Sequence, residues 1–159
     1  MSVAQRMDQA VNSIVDALMS RLEDERSEGG SLEGVESLVR GDRALANVST
    51  PSVWIWPETA TAATDMGLAE TWNMPVVLAA LVQDVEDIER GFREATRLAG
   101  VALQLALDGN PRLDELSWVD DITSLRFEPS GPRNTNDRRT LFWADAVVNI
   151  RFRRRQPNG

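Results

Sequence analysis

The sequence predicts an α+β fold: a mainly antiparallel sheet of about four strands, with an N-terminal helix and a long central helix packed on it. Three observations carry this. Apolar residues recur at three- and four-residue steps over positions 3–22, the spacing of one helix face. A second stretch beginning near position 84 repeats that spacing behind a run of acidic residues. The runs "SVWIW", "PVVLAALV" and "LFWADAVVNIRFR" read as strands, the last by strict two-residue alternation.

Taken in order, the first helix places Val3, Met7, Val11, Ile14, Val15, Leu18, Met19 and Leu22 on its apolar stripe, with Gln5, Arg6, Gln9, Asn12, Asp16 and Glu23 outside. Residues 26–47 are acidic and rich in Gly and Ser, which predicts a loop with a short helical turn at 32–39. The strand at 52–56 lies between Pro51 and Pro57, as suits an edge strand, where a missing amide donor costs little. Trp54 and Trp56 share a face by the two-residue period. Residues 57–72 read as a polar excursion, and 76–82, apolar at every position, as a strand covered on both faces.

Asp84 is the predicted N-cap of the long helix, with Glu86, Asp87 and Glu89 in its first turn. Its inner face would carry Ile88, Phe92, Ala95, Ala99, Ala102 and Leu103, and "DGNP" from Asp108 would end it. "LSWVDDITSLRFEP" and the C-terminal run then form a long hairpin, its tip bearing Arg133, Arg138 and Arg139. In the last strand Phe142, Ala144, Ala146, Val148, Ile150 and Phe152 face one way. Trp143, Asp145, Val147, Asn149, Arg151 and Arg153 face the other. The chain of 159 residues fits a single domain, 1–159, with 26–47 and 57–72 as loop excursions and 154–159 as a flexible tail.

Composition narrows the chemistry. There is no Cys, so disulfides, thiolate metal sites and cysteine nucleophiles are excluded. There is no His, which removes the commonest general base and transition-metal ligand. Lys is also absent, so Ser and Thr have no partner to activate them as nucleophiles. The acids at 84–89 are explained by capping and the helix dipole rather than by a metal. No phosphate loop, dinucleotide fingerprint or calcium loop is present. The expectation is therefore no enzyme, no catalytic residue, no cofactor and no metal. No apolar run approaches a membrane span, and the acid-bearing amphipathic start is unlike a signal or transit peptide, so a soluble, unexported protein is expected.

What remains is recognition. All 17 basic residues are Arg, and eight of them, Arg126, Arg133, Arg138, Arg139, Arg151, Arg153, Arg154 and Arg155, lie from position 126 onward in the last third of a chain whose net charge is −8. Such a patch could hold a phosphate backbone, but the acidic remainder would repel a long polyanion. Protein contact fits better, because one subunit's arginines can meet the next subunit's carboxylates, and Arg and Trp are enriched at interfaces. The expected interface residues are Trp54, Trp56, Arg138, Arg139, Trp143, Arg151 and Arg153. Arg154 and Arg155 are expected in the solvated end.

The order "VAQRMDQAVNSIVDALMSRL", "SVWIWPE", "PVVLAALV", "DVEDIERGFREATRLAGVALQLAL" and "AVVNIRFRRR" resembles that of the tail-terminator (tail-completion) and neck proteins of long-tailed bacteriophages. The resemblance is one of size and element order, without a short motif. It implies a small virion subunit with helices on a mainly antiparallel sheet, assembling as a homo-oligomeric, hexameric ring. Such a ring caps the tail tube, stops its polymerisation and meets the head-side connector or stopper protein. DNA passes through its channel without specific binding. Another neck component, for head closure or connection, and a nucleic-acid module using the arginine hairpin are the alternatives.

Overall fold

A computed structural model describes residues 5–41, 49–66, 69–84, 86–108, 113, 116–130 and 141–155. Two helices, α1 (Met7–Asp24) and α2 (Ile88–Leu107), pack on a six-stranded mixed sheet. Its strands are β1 (Ser37–Arg40), β2 (Ser52–Pro57), β3 (Thr61–Met66), β4 (Ala69–Gln83), β5 (Val119–Glu128) and β6 (Leu141–Arg155). The α+β class agrees with the sequence, but the strand count is higher and β1 runs parallel to β2. Among the described residues, no helix is long and apolar enough to cross a membrane.

The spatial order is β1-β2-β4-β6-β5, with β3 on β4 beside the line of β2. At the centre β4 and β6 pair antiparallel over their whole length, from Ala69 opposite Arg155 to Gln83 opposite Leu141. β2 and β3 lie end to end along the other edge of β4. β2 covers 76–81 and β3 covers 69–73, with the Glu58 N–H donating to the Pro75 carbonyl at 2.8 Å between them.

This corrects three expectations. Most of the supposed excursion at 57–72 is strand, because its backbone pairs along β4, which β6 flanks on the other side. β2 is not at the edge: β1 covers it, and the Pro51 carbonyl accepts the Glu36 N–H at 2.8 Å. In place of a helical turn at 32–39, turns run to Gly34, whose φ of 92° suits glycine, and β1 follows. Arg26 holds that segment down, donating to the Val35 and Glu36 carbonyls at 3.1 and 3.0 Å. Arg40, at the end of β1, bonds Asp16 at 2.9 Å and also Asn12 on α1.

The two-residue period of β6 holds throughout. Phe142, Ala144, Ala146, Val148, Ile150 and Phe152 are buried under the helices with Met74, Val76, Leu78, Ala80 and Val82 of β4. From α1 they meet Ala10, Ile14, Val15, Leu18 and Leu22, and from α2 Ala95, Leu98, Ala99, Ala102 and Ala106. Small side chains on α2 let its backbone approach the sheet closely, and at Gly91 it touches the Phe142 ring. Arg21 of α1 donates to the Leu105 and Ala106 carbonyls, both at 3.2 Å. It thereby supplies the cation that the last turn of α2 lacks.

The start of α2 lies later than expected. Asp87, not Asp84, is the N-cap, its carboxylate accepting the Arg90 N–H at 3.1 Å. Asp84 acts one turn earlier, accepting the Glu86 and Asp87 N–H groups at 3.0 Å each. Ile88, expected on the inner face, is the first residue of α2 and is 62% exposed.

Candidate interaction surface

No helix covers the sheet face opposite α1 and α2 among the described residues; side chains of the strands form a second, smaller apolar cluster there. Trp54, Val77, Ala79, Leu81 and Val147 are its buried members, and Val39, Trp56, Leu141 and Trp143 are partly buried around them. The period of β2 brings Trp54 and Trp56 to this face, and the period of β6 adds Trp143 opposite Leu81. The three tryptophans named from the sequence thus meet in one place, though with unequal roles. Trp54 is only 1% exposed, and its indole N–H donates to the equally buried Ser52 hydroxyl at 2.8 Å. It is a packing residue of this chain, while Trp56 and Trp143 stay half-exposed.

Further along the same face the surface turns polar. Asn149 on β6 donates to Asn73 on β4 at 3.2 Å, and Arg151 follows, exposed. Arg126 lies on this face as well, opposite Val147. Arg126 and Arg151 are both exposed and take part in none of the ion pairs described among these residues. Asp121 faces Arg151 across the β5–β6 ladder.

Beyond the last core pair, Trp72 opposite Phe152, the sheet continues as a three-stranded ribbon of β3, the start of β4 and the end of β6. Three further residue pairs of β4 and β6 extend it by roughly 10 Å. Two arginines of this ribbon, Arg153 and Arg154, find carboxylates in the same chain. Arg153 bonds Asp120 at 2.8 Å and the Ser117 carbonyl at 3.3 Å. Arg154 places two nitrogens on Glu70, at 2.9 and 2.6 Å, and Glu70 also accepts the Trp72 indole N–H at 2.9 Å. Arg153, expected to reach for a neighbouring subunit's acids, is already engaged within its own chain, where register brings Asp120 to it. Arg154 is likewise no solvated tail residue, because β6 continues to Arg155 and Arg154 stands opposite Glu70. Arg138 and Arg139 lie outside the described residues.

The outer face of α2 is zipped by its own charges. Arg90 pairs with Asp84, Arg93 with Glu89 and Arg97 with Glu94, at 2.6, 2.7 and 2.7 Å. The last two use the i,i+4 and i,i+3 spacings of a helix. Arg90, with the N–H donors of Glu86 and Asp87, holds the Asp84 carboxyl well below the usual carboxylate range. Arg97 lowers Glu94 in the same sense. These cations are therefore satisfied within the chain.

One feature of the surface was missed by the sequence reading. The outer half of β5, residues 123–128, is exposed throughout, including Leu125 at 58% and Phe127 at 39%. A bulge between Ser124 and Arg126 shifts the alternation there, so the simple period mislabels this segment. The chain matches no protein-family model and no curated protein sequence.

Proposed function

We propose that this protein is a structural subunit that assembles into a homo-oligomeric ring, of the tail-terminator kind, capping a phage-type tail tube and meeting the head-side connector. The observation that carries this reading is the one-sided architecture. Both helices stack on one face of the sheet, and the other face offers two half-exposed tryptophans followed by two exposed arginines that join no ion pair among the described residues. Large indoles beside directional guanidinium donors are the residue types that anchor protein contacts. The net charge of −8 suits a channel wall past which DNA slides without sticking.

The engagement of Arg153 and Arg154 by Asp120 and Glu70 weakens the case for a phosphate-binding end, because both cations are already neutralised. The test is assembly. Purified protein is examined by electron microscopy and sedimentation, alone and with tail tubes assembled from a bacteriophage tail-tube protein. Rings at tube ends, and tubes that stop growing, are the expected result. Arg151→Glu should weaken capping while leaving the fold intact. A protein that remains monomeric and ignores tubes, or that binds duplex DNA in a salt-sensitive manner instead, overturns the reading.

A further inference from the structure

The outer half of β5 is an exposed edge strand that carries apolar side chains beside Arg126 and Glu128. β5 pairs with β6 on one side and has no second strand neighbour among the described residues. Exposed edges are templates for another strand, the more so when they carry apolar side chains such as Leu125 and Phe127. The charges of this segment point to the identity of that strand. Arg126 stands opposite Val147 and Glu128 opposite Asp145, so both lie on the face away from the helices, on either side of Phe127.

We propose that β5 pairs antiparallel with β5 of a second copy of this chain, about a two-fold axis through Phe127. In that register Arg126 faces Glu128 of the second copy and Glu128 faces its Arg126, while the two Phe127 rings meet on the helix-side face. Leu125 falls opposite Pro129, which can occupy an edge because it needs no ladder donor. Directly opposed residues of an antiparallel pair share a face, so both ion pairs and the aromatic contact form without moving the backbone. A shift of one residue in either direction breaks this match, placing Arg126 opposite Phe127 or Pro129. The contact is isologous and cannot lie within a cyclic ring, so it goes beyond the ring reading and does not depend on it. The ladder of five residues is far smaller than the roughly 1,200 Å² of a stable interface. The dimer is therefore expected to depend on concentration and to be caught best by a covalent trap.

The absence of cysteine makes the trap clean. Phe127→Cys puts the chain's single thiol on the axis, where opposed Cα atoms lie about 4.5–5.5 Å apart, within the roughly 4.4–6.8 Å that a disulfide spans. Ser124→Cys places its two copies six residues out of register, about 20 Å apart. Oxidation of the protein alone with diamide should join the 127 variant at least about tenfold faster than the 124 variant. Adding Arg126→Glu should abolish that advantage, and Arg126→Glu with Glu128→Arg should restore it. To allow for the loss of the Phe127 ring, sedimentation with Phe127 intact should show dimer in the parent chain and in the charge swap, but not in Arg126→Glu. Equal crosslinking at 127 and 124, or behaviour indifferent to the charge reversal, overturns the proposal. Because no tail tube is present, crosslinking at 127 in a protein that fails to cap tubes refutes the ring alone. Capping without this crosslink refutes the pairing alone.

Discussion

Replacing Gly91 with alanine should destabilise this protein, whereas replacing Gly100, further along the same helix, should stabilise it. Both residues lie inside α2, where alanine is favoured over glycine by about 0.8–1.0 kcal/mol. At Gly100 a Cβ meets nothing within 4 Å, so that gain is realised in full. At Gly91 the same atom would run into Cδ2 and Cε2 of Phe142. That ring cannot yield easily, being 3% exposed and set edge-on against Phe92 with centroids 4.7 Å apart. Overpacking of this kind costs about 1–3 kcal/mol, which offsets the helical gain and leaves a net loss of about 1 kcal/mol. At about 2–4 °C per kcal/mol for a chain of this size, Gly91→Ala should lower Tm by a few degrees and Gly100→Ala should raise it by a similar amount. The propensity gain is common to both, so the gap between the variants isolates the steric cost, about 2–12 °C. Thermal unfolding followed by circular dichroism measures it. Equal stabilisation by the two changes would refute the close approach of α2 to Phe142.

Three further outcomes are expected. Ser52→Ala strands the buried Trp54 indole N–H and should cost about 1–3 kcal/mol in urea denaturation, with the apolar cluster otherwise unchanged. Arg21→Ala removes the donor that α1 lends to the last carbonyls of α2 and should cost about 1–2 kcal/mol, with amide hydrogen exchange rising first near Leu105 to Asp108. Asp84→Asn should flatten the response to acid. The native carboxyl is held below its ordinary value of about 4, so its contribution is complete above that value and is lost as pH falls through the depressed one. The fall in Tm between about pH 7 and about pH 3 should therefore be smaller in Asp84→Asn than in the parent.

Where a segment's own side chains do the folding work, its role was legible in the sequence. Of the predicted stripe, Ile14, Val15, Leu18 and Leu22 bury because helical spacing puts them on one side, with Met7, Val11 and Met19 partly buried around them. The alternation from Phe142 to Phe152 buries one set and turns Trp143 and Arg151 outward, as a two-residue period requires. That Trp54 and Trp56 share a face was legible for the same reason, whereas their meeting with Trp143 came from the pairing of β2 and β6 with β4. Thr61 to Met66 and Ala69 to Asn73 were not legible, because small and polar residues carry little strand signal of their own. Those segments are strands because pairing with β4 and β6 satisfies their backbone.

By itself, then, the sequence determined the α+β class, both helices, the inner and outer faces of β6, and a chemistry without cysteine or histidine. Only the tertiary structure decided the partners of the C-terminal arginines. Asp120 lies 33 residues from Arg153 and Glu70 lies 84 from Arg154, and no local periodicity reaches that far. The register of β4, β5 and β6 brings them together. That same register leaves Arg126 and Arg151 on the open face and exposes the outer half of β5, because hydrogen bonding between strands, rather than the pattern along any one of them, sets which charges are spent inside the chain.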